Sequence, residues 1–327
     1  MKVAKISRNE IVIEETPNIL LDGRDGAIVK LLGCGLCGSD IVKFRQKLVP
    51  DGTVLGHEIV AEIVEINSKT EFQVGDIIVT SHHIPCKKCI YCKRGNVSMC
   101  EHFKNTNIQP GGFSEFIYLS EEHLKNVAFR KPRNLADIEA SFYEPLACCI
   151  RAIRRCQLPT DANALVIGIG SIGVLMAQAL KAYGFKVCGC DLAKSRVNML
   201  KNFDIDAFIV NDLPNDYQFD CVFMTSGADS AIDTALKYVR KGGKILVFSS
   251  TPQNLGYANN DIYYKELTVL GSYSPDLDDL KTSLELLASK KVLVKDLSTV
   301  YEFNKINDAF QDTINNKIMK AYIKGVV

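Results

Sequence analysis

Residues 163–191 read NALVIGIGSIGVLMAQALKAYGFKVCGCD, and the fold class of the chain turns on this stretch. Ala164 to Ile167 is a short aliphatic run ended by glycine, the mark of a buried strand. Ile172 to Tyr183 is a helix-forming run that Gly184 stops, and Lys186 to Cys190 is a second strand. Between the first strand and the helix stands GIGSIG: Gly168, Ile169, Gly170, Ser171, Ile172 and Gly173. A GxGxxG alone carries little information. Here it follows a strand, opens a helix and is answered by Asp191 at the end of the next strand, eighteen residues past Gly173. Glycines in that context let the backbone approach a pyrophosphate at the helix N-terminus, while the acid accepts hydrogen bonds from the adenosine ribose. The stretch therefore predicts a dinucleotide site made of Gly168, Gly170, Ser171, Ile172, Gly173 and Asp191. A carboxylate there repels a 2′-phosphate, which favours NAD over NADP. Arg196, five residues on, is a neighbouring group able to pair with such a phosphate, and otherwise reads as a solvated helix residue.

The alternation continues outward from this stretch. A helix is predicted over Lys194 to Phe203, strands over Ala207 to Val210 and Phe219 to Met224, and a helix over Ser230 to Arg240. A turn at Gly242 and Gly243 follows, then strands at Lys244 to Phe248 and Leu267 to Leu270, which together read as an α/β doubly wound parallel sheet. Ahead of it, the runs Lys2 to Glu15, Ala27 to Leu32, Ile59 to Asn67, Asp76 to Thr80 and Phe113 to Leu119 read as strands of a mostly β domain. The period changes at Pro145 to Cys156, which places Leu146, Cys149, Ile150 and Ile153 on one helical face. Proline is favoured at the first helical position, so Glu144 is expected near the N-cap with its carboxylate pointing off the helix end. Beyond Tyr273 the pattern predicts a helix over Leu277 to Ser289, a strand over Thr299 to Phe303, a helix over Ile306 to Asn315 and a strand over Met319 to Lys324.

Two clusters in the β domain carry metal chemistry. Gly33 to Glu58, GCGLCGSDIVKFRQKLVPDGTVLGHE, gathers the thiol of Cys37, the imidazole of His57 and the carboxylate of Glu58 between glycine-rich turns. A catalytic zinc takes about three protein ligands and keeps one position open, and all three residue types suit it. Cys86, Cys89, Cys92 and Cys100 form a CxxCxxCx7C array, whose four thiolates complete a closed tetrahedral site of the structural kind. An iron–sulfur cluster also accepts four cysteines, but the array lies in an ordinary β domain and zinc is the reading. With that site filled by sulfur, His82, His83 and His102 read as surface or strand-end residues.

Composition bounds the rest. The chain has 327 residues, 47% of them hydrophobic, enough for two cores. Lys and Arg number 39 against 38 Asp and Glu, with no long run of one sign, which argues against a nucleic-acid partner. The N-terminus lacks a continuous apolar segment, so a cytoplasmic location is the expectation. Ala162 to Leu180 is uncharged, but three glycines, Asn163, Ser171 and Gln178 interrupt it, and a membrane span is not expected. Twelve cysteines without an export signal favour metal ligation or reduced burial over disulfides.

GCGLCGSD, LGHE, the four-cysteine array, GGFSEF at Gly111 to Phe116, YEPLAC at Tyr143 to Cys148 and GIGSIG occur in the order seen in the zinc-dependent medium-chain alcohol dehydrogenases. The chain resembles that family over nearly its whole length, and within it the sorbitol and threonine dehydrogenase branch. The resemblance implies a GroES-like catalytic domain over 1–143 with a structural zinc lobe at 86–100, a Rossmann NAD-binding domain over 144–275, and a segment over 276–327 that returns to the catalytic domain. It implies two zinc ions per chain, one catalytic and one structural. Cys37, His57 and Glu58 match the catalytic ligands, and Glu144 matches the acid that supplies a fourth ligand or holds the zinc water. Ser39 is expected to be the first proton acceptor in a relay to the cofactor ribose. This chain departs from the family at Val42, where a histidine often stands, and at Ser274, where polyol dehydrogenases of the sorbitol type carry arginine. The expected activity is reversible NAD-dependent oxidation of a secondary alcohol group in a polyol, sugar derivative or amino alcohol, by a homo-oligomer of two or four subunits. A carbonyl reductase using NAD(P)H and a non-catalytic dinucleotide-sensing zinc protein are the alternatives.

Overall fold

The computed structural model describes residues 1–8, 10–250 and 259–326. An antiparallel hairpin, β1 (Lys2–Ser7) and β2 (Glu10–Glu15), opens the chain. The single run read over Lys2 to Glu15 is thus two paired strands: Ser7 faces Glu10, Arg8 takes φ 48°, and Asn9 lies outside the described residues. Next come β3 (Gly26–Gly35), α1 (Gly38–Arg45), β4 (Glu58–Asn67), β5 (Ile77–Thr80), α2 (Ile90–Lys93), α3 (Glu101–Asn105), β6 (Phe116–Ser120), α4 (Glu121–Asn126), β7 (Ala128–Arg130) and α5 (Asp137–Ala140). The middle of the chain holds α6 (Tyr143–Cys156), β8 (Asn163–Ile167), α7 (Ser171–Ala182), β9 (Lys186–Asp191), α8 (Lys194–Lys201), β10 (Asp206–Ile209), β11 (Phe219–Met224), α9 (Ser230–Tyr238), β12 (Val239–Val247), α10 (Asn259–Tyr264) and β13 (Thr268–Gly271). It closes with α11 (Leu277–Ala288), β14 (Ser298–Tyr301), α12 (Ile306–Ile314) and β15 (Lys320–Lys324).

The chain divides into two compact units. One comprises Met1–Pro145, Asp276–Ala288 and Val294–Val327; the other comprises Leu146–Pro275 and Ser289–Leu293. In the first, the described strands form a sheet in the order β14-β15-β3-β4-β5-β7, with β6 also paired to β3. β3 is the central strand and nearly all its residues are buried, which is why its sequence, GAIVKLLGCG, reads as an almost unbroken apolar run. Ala27, Val29, Leu31, Ile59, Ile63, Ile117 and Phe310 pack in its core. In the second unit the described strands form a parallel sheet, β10-β9-β8-β11-β12-β13. Strand order reverses beside β8, and at such a switch point the strand ends leave a ligand crevice. Leu165, Val222, Met224 and Ile245 are buried in its core.

Two expectations are corrected. The helix expected from Pro145 begins at Tyr143, so Glu144 lies inside the first turn and not at the cap. Amides of a first turn have no intrahelical partner, so Pro145 costs no hydrogen bond there. The turn expected at Gly242 and Gly243 lies within β12 as an irregularity: Phe219 pairs with Val239 but Cys221 already pairs with Lys244. Helices α1, α4 and α5 were not read from the sequence pattern. These helices have eight residues or fewer, too few for a periodic pattern to stand out.

Asp220 on β11 ties the starts of three parallel strands together. Its carboxylate accepts the Asn163 amide at 2.8 Å and Arg240 Nε at 2.6 Å, while its own amide donates to the Asn163 side-chain oxygen at 2.8 Å. Burial works to raise its pKa, but the Asn163 amide and Arg240 prevail and lower it. Because the folded pKa is depressed, the stabilisation is complete above the unfolded carboxyl value and is lost as pH falls through the native one. Asp220→Asn should therefore cost about 1–2 kcal/mol in denaturant unfolding at pH 7, and the deficit should shrink toward zero in acid.

Candidate functional site

The sequence CGSD places a helix start at the end of the central strand. Cys37 is the N-cap of α1: its Sγ accepts the Ser39 amide at 3.5 Å, and the Asp40 carboxylate accepts the Cys37 amide at 3.3 Å. Asp40, 1% exposed, also accepts the Gly56 amide at 3.4 Å and lies 3.5 Å from His57 Nδ1. One carboxylate thus fixes both the cysteine turn and the histidine ring. Burial disfavours its charge, yet His57, Lys43 and the Gly56 amide outweigh this and lower its pKa. For His57, burial is likewise outweighed, by Asp40 and the Cys37 sulfur, and the pKa rises well above the ordinary value. A histidine whose one nitrogen faces a buried carboxylate has its ring orientation set and its other nitrogen left for a metal.

Glu58 opens β4 and pairs with Gly35 across the sheet. It is 1% exposed, and its Oε1 meets no hydrogen-bond donor among the described residues. Its close partner is an ammonium: Lys320 Nζ, also buried, lies 2.5 Å from Oε2 and donates to the Leu36 carbonyl at 3.2 Å. A Cβ on residue 35 would overlap the Glu58 carboxylate and crowd the Lys320 stem, so only glycine allows this pair at the strand end. Burial pulls the Lys320 pKa down, but Glu58 and Cys37 reverse that and raise it. The donor atoms of Cys37, His57 and Glu58 all lie within 4.8 Å of one another. A thiol, an imidazole and a carboxylate with unused lone pairs fit a zinc ion. Glu144 is 5% exposed on α6 and stands outside this three-residue cluster, while Ser39 is exposed beside Cys37.

The second cluster is as tight: the Cys86, Cys89, Cys92 and Cys100 sulfurs lie within 4.8 Å of one another. Amides organise it, with Cys86 N donating to Cys100 Sγ at 3.5 Å and Cys89 N to Cys86 Sγ at 3.3 Å. Burial opposes ionisation of Cys100, but the Cys86 and Phe103 amides bring it down to about 6; burial and the neighbouring thiols push Cys92 up to about 12. Sulfurs this crowded ionise together only around a cation, which is the condition a four-thiolate zinc site meets. Of the histidines near this lobe, His82 and His83 lie just past the end of β5. His82 and His83 are part-buried and their rings lie 3.9 Å apart, whereas His102 is paired with exposed Glu122 at 2.9 Å.

In the second unit, GIGSIG joins β8 to α7. Asp191 Oδ2 accepts the Ile169 amide at 2.7 Å and Oδ1 the Ala193 amide at 2.8 Å, so this acid first holds the glycine turn in place. Arg196 Nη1 lies 3.6 Å from Asp191. A Cβ on Gly173 would overlap the Gly168 carbonyl, while one on Gly170 would meet nothing within 4 Å. The first fact explains a glycine by packing; the second leaves backbone facing open space at the start of a twelve-residue helix, as a pyrophosphate requires.

The chain matches the alcohol dehydrogenase GroES-like domain over residues 23–128 and the zinc-binding dehydrogenase domain over residues 171–289. It is 32% identical over 323 residues to a sorbitol dehydrogenase of Halalkalibacterium halodurans, covering 93% of each chain. The chain belongs to the zinc-dependent medium-chain dehydrogenase family. A probable D-xylulose reductase of Aspergillus clavatus is 28% identical to this dehydrogenase, covering 97% of this chain and 94% of the relative. An alcohol dehydrogenase from Thermus sp. ATN1 superposes with a TM-score of 0.87 at 22% identity, covering all of both chains, and shows the same Rossmann and GroES-like architecture. No helix of the described residues is long and apolar enough to cross a membrane.

Of the residues around the metal cluster, Asp40 and Lys320 were not singled out from sequence. Asp40 has a local signal, an acid three residues past an N-cap. Lys320 has none, since a lysine opening the last strand reads as a solvated charge. Lys320→Met removes the cation facing Glu58, and the metal-free protein should lose roughly 3–5 kcal/mol because a buried carboxylate is left unpaired. Zinc should recover most of that loss, so the gap in Tm between chelator-treated and zinc-loaded protein should widen. An equal loss in both states would show that the pair does not face the metal.

Proposed function

We propose that this dehydrogenase oxidises a secondary alcohol group of a polyol, sugar derivative or amino alcohol to the ketone, reversibly, with zinc and NAD. The observation that carries the proposal is the convergence of Cys37, His57 and Glu58 within 4.8 Å, with a buried Glu58 Oε1 that has no hydrogen-bond partner among the described residues. The sorbitol dehydrogenase and xylulose reductase names of its relatives support a polyol as substrate.

In this proposal Cys37, His57 and Glu58 hold the catalytic zinc, with Glu144 as fourth ligand or as base, and Cys86, Cys89, Cys92 and Cys100 hold the structural one. When bound, zinc acts as a Lewis acid toward the alcohol oxygen and the nicotinamide accepts the hydride. Asp40 keeps His57 oriented, and Lys320 offsets one of the negative charges around the ion. A thiolate and two carboxylates against a divalent cation leave an anionic centre, and the buried ammonium restores neutrality. Ser39, exposed two residues past Cys37, is the first proton acceptor, and Val42 on α1 leaves the relay without a histidine at that place. Gly168, Gly170, Ser171, Ile172 and Gly173 receive the pyrophosphate, and Asp191 selects the ribose hydroxyls of NAD. Arg196 beside it is the residue through which NADP would compete.

NADH formation at 340 nm over a panel of diols, polyols and amino alcohols tests the activity, with a dialysed, chelator-treated sample as control. Turnover that is lost with zinc and returns with it is the expected result. Binding of NAD without turnover of any alcohol or carbonyl would favour a sensing role instead.

Glu144→Gln separates a catalytic carboxylate from a helix-end one, since it keeps the shape and removes the charge. We expect kcat to fall roughly 10²-fold or more with an altered pH profile and zinc content intact. A carboxylate that only complements the helix dipole contributes about 0.3–1 kcal/mol, and its loss would leave kcat and the pH profile near wild type.

A further inference from the structure

The segment that leads from β5 into the four-cysteine lobe passes beside the metal cluster. β5 ends at Thr80, His82 and His83 follow, and Cys86 stands three residues past His83. The other end of the lobe builds the seat of His83. Cys100 is the N-cap of α3, the Phe103 amide on that helix reaches the Cys100 sulfur, and the Phe103 ring packs 4.8 Å from the His83 ring between centroids. Thr106, the C-cap of α3, accepts from His83 Nδ1 at its carbonyl, 2.5 Å away. Its Oγ1 accepts the Ile84 amide at 2.9 Å and donates to the Phe103 carbonyl at 3.1 Å.

Rings carry this seat on to the metal cluster. His83 and His82 lie 3.9 Å apart between centroids, and His82 and His57 lie 4.5 Å apart. Asp40 faces the Nδ1 of His57 at 3.5 Å, and the His82 ring packs against the same imidazole. All of these residues belong to one compact unit. Four sulfurs within 4.8 Å hold that arrangement when a cation neutralises them, so metal binding is what fixes Cys86 and Cys100 relative to each other. Those two cysteines bracket His83. Filling the lobe therefore fixes the His83 ring, and through close packing it fixes the wall against which His82 and His57 rest.

We propose that His83 is a positioning residue through which an occupied four-cysteine lobe raises the metal affinity of the Cys37, His57 and Glu58 cluster. The inference rests on the two metal sites of the reading above and adds that they are coupled. Coupling of this kind is reciprocal: metal at the three-residue cluster tightens the lobe by the same factor.

Cobalt(II) is the probe, because a four-thiolate site and a site of one thiolate, one imidazole and one carboxylate absorb differently when it fills them. The dissociation constant and visible bands of the three-residue site are measured by competition with a chelator, in the full chain with the lobe filled by zinc. Cys92→Ser empties the lobe, His83→Leu removes the bond to Thr106 and leaves the lobe intact, and His83→Asn restores a donor toward the Thr106 carbonyl. Cys92→Ser and His83→Leu should each weaken cobalt binding at the three-residue site by roughly fivefold or more and shift its visible bands, and His83→Asn should recover part of the loss. The double variant should bind within about twofold of His83→Leu alone, since both changes break one path. If Cys92→Ser does not fold, zinc-loaded His83→Leu against wild type decides. A dissociation constant in His83→Leu within about twofold of wild type overturns the proposal, as do losses that add in full in the double variant. These measurements need no alcohol turnover, so failure of the dehydrogenase assay leaves them standing. A wild-type cluster that takes no cobalt overturns the metal reading and the coupling together, whereas equal affinity with the lobe filled or empty overturns the coupling alone.

Discussion

The buried carboxylate of Asp40 is the constraint on which the metal cluster depends. It accepts the amides of Cys37 and Gly56 and faces His57 Nδ1, so it joins the start of α1 to the turn before β4. Those two segments carry all three clustered donors. A carboxylate buried this fully needs several donors to remain charged, and the donors it uses are the backbone and ring positions that a metal site needs fixed. Folding and preparation of the site are therefore one event. The energy that keeps Asp40 ionised is the energy that orients His57 and closes the cysteine turn.

Glu58 and Lys320 add a second layer of charge control. Glu58 Oε1 is buried without a hydrogen-bond donor among the described residues, while Lys320, far along the chain, meets Oε2 with its ammonium. Without a metal the pair is internally balanced. With a divalent cation beside Glu58, the ammonium tempers the negative charge that thiolate and carboxylates bring. Gly35 makes this possible by carrying no side chain where the carboxylate passes. The four-cysteine lobe follows a different logic, since its sulfurs meet backbone amides and one another, and a closed shell of thiolates serves stability more than chemistry.

In the parallel-sheet unit one residue again does two jobs. Asp191 receives the Ile169 and Ala193 amides and so shapes the glycine turn before any dinucleotide arrives. Thr225 Oγ1 donates to the Gly168 carbonyl at 2.6 Å from the neighbouring strand end, closing the turn at the point where strand order reverses. In the NAD-dependent reading proposed above, turn shape and ribose preference are coupled through this one carboxylate, which Arg196 approaches to 3.6 Å.

The sequence by itself determined strands β8 to β13 with helices α7 to α9, the two clusters of possible metal donors and the glycine turn, because each depends on residues close in the chain with a fixed spacing. Helix α7 and strands β9 and β11 lie within a residue of where periodicity puts them. Short helices such as α1 were illegible, since eight residues give too few turns for a pattern, and the start of α6 was misplaced because Pro145 is tolerated inside a first turn. The tertiary structure alone decided what lies beyond local spacing. Lys320 meets Glu58 across 262 residues of chain because β15 pairs with β3, which in turn pairs with β4. His82 meets His57 because β5 pairs with β4. Such contacts come from sheet register, and a lysine or histidine carries no local signal of the strand that it will face.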